Sequence, residues 1–552
     1  MLANPYYRRS VLRPLILAGV TLLAVYTLYN QAQLREHTLH LQGVLSEGIH
    51  SLYQTNRTHN NTLYQDGTED HVYKEYDFGR NPCAHFPEKT DGILLVLKTG
   101  ATEVFDKLPT QLLTSLQCLP DFLLFSDREQ QIGQWHIHNA LDTVSEKTKA
   151  DNPEFDLYRT QQQCPVTQKS CLSTYRGQAA TAAWALDKYK FMHILERTWE
   201  MRPNQSYYVF AEADTYIVWP NLVQWLRTRS PVKDPLEEPL YVGSAAMLAG
   251  IPFAHGGSGY VLSGRLVRDL VEGYTSIAEV FDARSRTHCC GDQMIAKAVL
   301  ERNKIRVQNA HPMFNGEKPT TFPYGPTHWC EPSLTMHHVE PEEVSAIWQF
   351  EQTRKSGGNL LLKDLYKAFV ANKLVESRTH WDNMADDVCY ASPDPAVRSR
   401  LDPKLLKRVK NEGLNGVERD AHKSLANCAQ VCNYEGYVDA EDEDDDASAG
   451  ITKQNDKRAP TRKVLKSPKT KQNPLDRRCF QYRYHNGVCC TGRSFRLGAP
   501  RREVEGNVQD KPEDIWHSGW HLDHINAWIK AKGDCPAPRW KVPDKLDKLK
   551  LQ

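Results

Sequence analysis

Three short apolar runs, separated by longer amphipathic stretches, constrain the fold of this chain more than any other feature. Residues 92–98, 121–127 and 207–210 are apolar through most of their length, as is typical of strands buried on both faces of a sheet. The segments 101–117 and 176–200 between them are predicted helices, the second a single long one. Its apolar side chains near helical spacing are Trp184, Phe191, Ile194, Leu195 and Trp199. This alternation predicts an α/β fold with a mainly parallel sheet, in which ligands bind beyond the carboxyl ends of the strands.

Composition narrows the class of protein. At roughly 150 residues per domain, 552 residues allow three or four domains. Hydrophobic residues make up 40% of the chain and charged residues 25%, which excludes a wholly disordered or fibrous protein. The 69 Lys and Arg residues balance 68 Asp and Glu residues, so no overall positive field would hold a nucleic-acid backbone. We therefore expect no nucleic-acid partner.

The N-terminus predicts where the protein resides. Basic residues at positions 8, 9 and 13 precede an apolar run over 14–29. This length nearly matches a bilayer core, and positive charge before the run keeps the short tail 1–13 in the cytosol. We expect a transmembrane signal anchor with the remaining chain in the lumen. A cleaved signal peptide is the alternative, but the exit Tyr29-Asn30-Gln31 lacks the small residues of a cleavage site.

The sequence contains fourteen cysteines. In a secretory lumen they are expected to form disulfides rather than bind zinc. The neighbours Cys289 and Cys290 do not easily bond to each other in unstrained geometry. Two separate bridges, or one bridge and a free thiol, are expected there.

Changes in composition suggest the boundaries of the domains. A polar stem over 30–78 leads to a globular domain over 79–355. A helical linker and the first part of a small disulfide-rich α+β module follow over 356–438, and its second part covers 475–540. Between these parts, 439–474 carries an acidic run and then a basic run, which predicts a disordered insertion.

Two groups of residues suggest a ligand-binding site beyond the carboxyl ends of the strands. Glu212 and Asp214 directly follow the third strand and project to the same side, and carboxylate oxygens suit a hard cation such as Mn²⁺ or Mg²⁺. Downstream, Gly256 and Gly257 begin a glycine-rich turn, in which the backbone can approach a ligand closely.

Several motifs in order then carry a family resemblance. E-A-D-T-Y at 212–216, G-G-S-G-Y-V-L-S at 256–263, C-C-G-D-Q at 289–293 and M-H-H-V at 336–339 resemble glycosyltransferase family 31. This is the group of fringe and the core 1 β1,3-galactosyltransferases, and the chain is most similar to its fungal members over roughly 90–350. The resemblance implies a glycosyltransferase-A (Rossmann-like) fold in a type II Golgi membrane enzyme, with a UDP-sugar donor, Mn²⁺ and inversion at the anomeric carbon. The C-terminal cysteines resemble those of a PAN/apple module.

The resemblance also implies roles for single residues. Asp214 and His337 are expected to bind the metal, with His338 as the fallback, and Asp292 to act as the catalytic base. Asp292 could instead cap the helix predicted over 292–302. Glu212, which departs from the aspartate of the family, and the turn residues Gly256 and Gly257 are expected to bind the nucleotide. Thr99 and Asp127 are expected to do so from their position at the ends of the first two strands.

The expected function is transfer of a hexose, with galactose the first guess, to a glycan or glycoprotein hydroxyl in β1,3 linkage. The alternatives are a β1,3-N-acetylglucosaminyltransferase and a non-catalytic relative that binds glycans or acts as a chaperone. A homodimer is left open. His255 is interpreted as a structural loop residue or a ligand contact, and Trp329 as a core residue or an acceptor platform.

Overall fold

The computed structural model describes residues 81–164, 167–175, 178–273, 275–354, 358–435, 474–501 and 515–546. The predicted anchor over 14–29, its flanking tail and stem, and nearly all of the insertion predicted over 439–474 lie outside these residues. Within the described ranges, no helix combines the length and apolar character that a membrane span needs.

Strands and helices alternate through the first two thirds of the described chain. The strands are β1 (Ile93–Lys98), β2 (Phe122–Ser126), β3 (Gln130–Ile132), β4 (Trp135–Asn139), β5 (Tyr207–Glu212), β6 (Tyr216–Ile217), β7 (Tyr241–Gly243), β8 (Ala245–Leu248), β9 (Ile251–Ala254), β10 (Tyr260–Ser263), β11 (Gln308–Asn309), β12 (Thr335–Met336), β13 (Ser377–Thr379), β14 (Trp381–Asp382), β15 (Val388–Ala391), β16 (Gln481–His485), β17 (Val488–Gly492), β18 (Ala499–Pro500), β19 (His517–Trp520) and β20 (Asp544–Lys545). The α-helices are α1 (Val104–Leu113), α2 (Glu146–Lys149), α3 (Asp156–Gln162), α4 (Gln168–Cys171), α5 (Ala179–Asp187), α6 (Lys190–Met201), α7 (Trp219–Thr228), α8 (Gly264–Val271), α9 (Ile277–Ser285), α10 (Gly291–Asn303), α11 (Pro341–Thr353), α12 (Leu362–Phe369), α13 (Pro395–Arg398), α14 (Pro403–Leu406), α15 (Gly416–Asp420), α16 (Leu425–Glu435) and α17 (Leu522–Lys532).

A large sheet forms the centre of the fold. Its nine strands lie in the order β20-β11-β7-β10-β5-β1-β2-β4-β3. The central strands β5, β1, β2 and β4 are parallel. β7 and β11 share their direction, whereas β10, β20 and β3 run the opposite way. The predicted α/β class with a mainly parallel sheet is confirmed.

The sheet carries an apolar core on each face. In β1, Leu94 and Val96 face one core, which helices α6, α8 and α10 cover. Leu95 and Leu97 face the other core, under α1 and α7. The three predicted strands therefore form because almost every side chain in them is buried on one side or the other.

The prediction of a single long helix over 176–200 is wrong. The structure has two helices, α5 and α6, which break at Lys188 and Tyr189. Lys188 Nζ lies 2.7 Å from Glu154 Oε1, and the Tyr189 hydroxyl donates to Glu154 Oε2 at 2.5 Å. Because α5 does not continue α6, Trp184 is 65% exposed, while the other four apolar residues of the predicted stripe are buried. Tertiary contacts at the break outweigh the local helical pattern.

All fourteen cysteines form disulfides, as expected for a secretory lumen, and none is free. The pairs are Cys83–Cys118, Cys164–Cys171, Cys289–Cys290, Cys330–Cys535, Cys389–Cys490, Cys428–Cys489 and Cys432–Cys479. The expectation that Cys289 and Cys290 would not bond to each other is wrong. The other twelve cysteines pair among themselves, so each of these two has only its neighbour as a partner.

The C-terminal region builds a second, antiparallel sheet. Its strands lie in the order β13-β19-β16-β17-β15, and α16 is joined to it by Cys428–Cys489 and Cys432–Cys479. A third apolar core combines Tyr324 and Trp329 with Phe495 and Trp528, so described residues on both sides of the boundary predicted at 355 share one core. Trp329 is 1% exposed, which makes it a core residue and not an acceptor platform.

Candidate functional site

Polar side chains gather where the central parallel strands end. The residues after β1 and β2 are Thr99 and Asp127, and β5 ends at Glu212, two residues before Asp214. Because β1, β2 and β5 are parallel, these positions lie together at the end of the sheet where the carboxyl ends of these strands meet. Ligands of open α/β sheets bind at this end.

The acidic turn after β5 is fixed by hydrogen bonds from its surroundings. The buried side chain of Gln111, on α1, donates to the carbonyl oxygens of Ala213 and Thr215 at 3.0 and 3.2 Å. The Thr215 hydroxyl accepts from the Glu212 N–H at 3.1 Å and donates to the Gly257 carbonyl at 2.7 Å. The turn that carries Asp214 is thereby joined to the glycine-rich turn.

The glycine-rich turn makes room for a histidine. A Cβ atom at Gly257 would lie 2.1 Å from His337 Cε1, so only glycine lets the ring pack here. The Thr335 hydroxyl donates to the Ser258 carbonyl at 2.6 Å and links the turn to β12, which immediately precedes His337. Contact of Gly256 and Gly257 with a nucleotide stays a prediction.

Asp214 and His337 have a geometry that fits a divalent cation. His337 Nε2 lies 3.2 Å from Asp214 Oδ1 and 3.7 Å from Glu212 Oε2. Two neighbouring ligands of an octahedral ion at 2.0–2.1 Å lie about 3 Å apart, close to the Asp214–His337 spacing. His338 belongs to the same group, in which the ligand atoms lie within 4.8 Å of one another. Carboxylate oxygen suits Mn²⁺ and Mg²⁺, whereas imidazole nitrogen also suits Zn²⁺, so this donor set accepts Mn²⁺ without selecting it.

Two lysines balance the acidic charges of this cluster. Lys107 Nζ, on α1, lies 3.1 Å from Asp214 Oδ2. Lys98 Nζ lies 3.1 Å from Glu212 Oε1 and 2.6 Å from Asp187 Oδ2. Sequence reasoning missed both lysines. Lys98 offered a signal, since it is a charged residue at the end of an apolar strand, but Lys107 offered none.

The same charges shift the acid–base properties of His337. Burial lowers the pKa of this imidazole, but the neighbouring carboxylates of Asp214 and Glu212 outweigh burial and raise the pKa to about 9. The ring of His337 is therefore protonated at neutral pH in the absence of a metal. A metal ion that binds Nε2 must displace this proton, because only the neutral imidazole is a ligand.

Asp292 lies on the other side of the glycine-rich turn. Its Oδ2 accepts from the Gly256 N–H at 3.0 Å, and its Oδ1 accepts from the Gln293 N–H at 2.8 Å. Cys290 occupies the N-cap position of α10, so the alternative in which Asp292 caps the helix is wrong. Burial raises the pKa of Asp292 to about 6. Through Gly256 and Gly257, the structure brings Asp292 together with His337 and Asp214.

The structure does not expose Thr99 and Asp127 at the surface of the candidate site. Asp127 has no exposed area, and its carboxylate lies 2.8 Å from Lys190 Nζ and accepts from the Ala101 N–H at 2.9 Å. Thr99 is also buried, and its carbonyl accepts from Lys190 Nζ at 2.9 Å. Both residues hold the loop after β1, and direct contact with a nucleotide would require them to rearrange.

His255 lies beside the proposed metal ligands. Its ring centroid is 5.5 Å from that of His337, and its Nδ1 is 2.8 Å from the Ser258 hydroxyl. Close by, a pocket opens that is lined by Lys98, Phe191, Glu212, Gly256 and Tyr260, among others. The cluster therefore borders a concave surface.

Replacing Gly257 by Ala should displace His337, because the added methyl group would overlap its ring. We expect the free energy of unfolding to fall by about 1–3 kcal/mol, as for overpacking of a core, and metal affinity to fall as well. Denaturant unfolding and Mn²⁺ titration measure the two effects. Gly416→Ala is the matched control, since a Cβ there meets nothing within 4 Å. Equal effects of the two substitutions would contradict the packing of His337 on Gly257.

Neither a scan against protein-family models nor a search of the curated proteins finds a match to this chain. The family resemblance in the motifs therefore stays a prediction.

Proposed function

We propose that this chain is a metal-dependent, inverting glycosyltransferase that moves a hexose from a UDP-sugar to a glycan or glycoprotein hydroxyl. The observation that carries the proposal is the grouping of Asp214, His337 and Asp292 around the turn at Gly256 and Gly257. A pair of metal ligands and a separate carboxylate are the two elements that this reaction requires. The parallel strands that end at the site also support a glycosyltransferase-A fold.

The metal ligands would act on the leaving group. When bound between Asp214 and His337, a divalent ion, Mn²⁺ first and Mg²⁺ as the alternative, would neutralise the charge that develops on the departing diphosphate. Asp214 and His337 hold fixed positions for it because Gln111, Thr215 and Gly257 fix the turns around them. Lys98 keeps Glu212 ionised and in place beside His337.

Asp292 would act on the acceptor. The incoming hydroxyl loses its proton as its oxygen attacks the anomeric carbon, and a carboxylate within about 2.6–3.2 Å can accept that proton. The Gly256 N–H orients this carboxylate towards the glycine-rich turn. A single displacement from the face opposite to UDP inverts the configuration of the sugar.

The finer parts of the proposal rest on the motif resemblance. They are family 31 membership, galactose as the first donor sugar, β1,3 linkage, and a type II location in the Golgi membrane with the catalytic domain in the lumen. The seven disulfides support an oxidising compartment. N-acetylglucosamine is the alternative sugar.

A screen of UDP release tests the proposal. The purified protein is incubated with several UDP-sugars, with and without Mn²⁺, and with mixed glycan acceptors. We expect Mn²⁺-dependent release of UDP from one donor, increased by acceptor. UDP release no faster than in the blank for every donor, both with and without Mn²⁺, would reject catalysis.

One contact favours a second candidate, a non-catalytic glycan-binding or chaperone relative. Lys107 already neutralises Asp214, and its ammonium group lies where it competes with a metal ion for this carboxylate. In that case the cleft would bind a ligand without a metal and without turnover. Binding of UDP or glycans in the presence of EDTA, with no UDP release in any condition, would support this candidate.

Turnover should rise with pH up to about 6 and then level off. Asp292 accepts a proton only when ionised, and its pKa is raised to about 6 by burial. Below that pH the ionised fraction falls about tenfold per unit, so kcat/KM should fall in proportion. A rate profile at saturating Mn²⁺ measures this limb. A profile that is flat between pH 5 and about 7 would contradict Asp292 as the base.

A further inference from the structure

A second cluster of metal-ligand side chains lies at the lateral edge of the large sheet that β3 forms, outside the proposed active site. Glu129, His136 and His138 each offer a ligand atom, and these atoms lie within 4.8 Å of one another. Glu129 immediately precedes β3, and both histidines belong to β4. None of these residues takes part in the function proposed above.

The strand pairing places all three side chains on one face. His136 and His138 are two residues apart in β4, so they project to the same side, while Ile137 between them is buried. β3 pairs with β4 antiparallel, with Gln130 opposite Ile137 and Gln131 opposite His136. One more step in this register sets Glu129 opposite His138. The cluster thus follows from the hairpin itself and not from chance contacts of long side chains.

One oxygen of Glu129 is the point at which the three groups meet. Its Oε1 contacts His136 Nε2 and lies 3.9 Å from His138 Nδ1. Its Oε2 is occupied by the Asn139 N–H at 2.7 Å, which fixes the carboxylate. Three ligands around a tetrahedral ion at 2.0–2.1 Å lie about 3.3 Å apart, so only small movements would be needed.

Neighbouring residues also position the two imidazole rings. His136 Nδ1 lies 3.3 Å from Gln131 Oε1, and donation of its N–H to this carbonyl would leave Nε2 as the free lone pair. The His138 ring packs on Phe125, with ring centroids 5.4 Å apart. A second group that orients a ligating imidazole is typical of protein metal sites.

We propose that Glu129, His136 and His138 form a binding site for a transition-metal ion, with Zn²⁺ preferred. Two imidazoles and one carboxylate are a common zinc donor set, and a water molecule completes the tetrahedron. The ion would join β3, the edge strand, to β4 and so strengthen the hairpin that ends the sheet. The alternative is a plain ion pair between a protonated His136 and Glu129, which binds no metal.

Zinc titration of the full chain, purified without a histidine tag, tests this site. An Asp214→Asn background is used so that the proposed active site does not contribute. We expect one equivalent of Zn²⁺ to bind and the thermal midpoint to rise. Co²⁺ should show the visible absorption of a tetrahedral complex with nitrogen ligands.

The variants separate ligands from bystanders. His136→Asn and His138→Asn should each weaken Zn²⁺ binding by about 100-fold or more and remove the Co²⁺ absorption. Gln131→Leu, which removes only the orienting group, should weaken binding about tenfold. His85→Asn, an exposed histidine outside the cluster, should change nothing. Zn²⁺ affinity that is absent in the parent chain, or unchanged in His136→Asn and His138→Asn, would overturn the proposal.

Discussion

Replacing Asp292 by Asn should lower turnover by about 100- to 10 000-fold and leave UDP affinity nearly unchanged. The amide keeps the size of the side chain and can still accept from the Gly256 N–H, but it cannot take a proton from the acceptor. Steady-state rates and calorimetric binding of UDP with Mn²⁺ measure the two quantities separately. Because the change in turnover is expected without a change in binding, simple unfolding of the variant would not imitate the result.

Asp534→Asn is the control for this experiment. Asp534 is strongly exposed, pairs with Lys363 on the surface and lies outside the cleft. Its variant should retain full activity. An Asp292→Asn enzyme with more than about a tenth of the parent rate would remove Asp292 from the role of base.

Replacing Asp214 by Ala should abolish metal-dependent UDP binding, with an expected loss of at least about 100-fold. The variant removes one of two protein ligands and leaves His337 beside Glu212 alone. Calorimetry with UDP in Mn²⁺ and in EDTA measures the difference. Asp156→Ala, which removes an exposed carboxylate on α3, is the matched control. Equal UDP affinity in the parent and in Asp214→Ala would refute the ligand assignment.

Removal of the lysine that pairs with Asp214 should strengthen metal binding. Lys107→Met keeps the apolar stem but removes the ammonium group, so a metal ion no longer competes with it for Asp214. Mn²⁺ affinity should therefore rise. A fall in Mn²⁺ affinity would show that Lys107 supports the site rather than competing for it.

The sheet could be predicted because its signal is local. β1, β2 and β5 are short apolar runs, and burial on both faces gives such a run only one stable environment. The break between α5 and α6 could not be predicted, since the contacts of Glu154 with Lys188 and Tyr189 join segments about 35 residues apart. For the same reason the sequence pattern placed Trp184 in a buried stripe, although it is exposed.

The acidic and histidine members of the candidate site could be selected by motif, but their counter-charges could not. Lys107 resembles any other lysine until the fold sets it against Asp214. Lys98 is distinguished only by its place at the end of an apolar strand, and its pairing with Glu212 is visible only in the fold. For Asp127, in contrast, the sequence predicted a ligand contact that the fold does not support. Its position after β2 suggested a ligand contact, but a buried lysine from α6 neutralises it inside the protein.

The far C-terminus completes the first sheet. β20, at Asp544–Lys545, pairs with β11, and Cys535 is bonded to Cys330. A recombinant fragment that stops at residue 355 would therefore lack an edge strand and carry an unmatched thiol at Cys330. Such a fragment invites intermolecular cross-linking through this thiol. Truncation anywhere between Cys330 and Cys535 should therefore leave Cys330 without its partner.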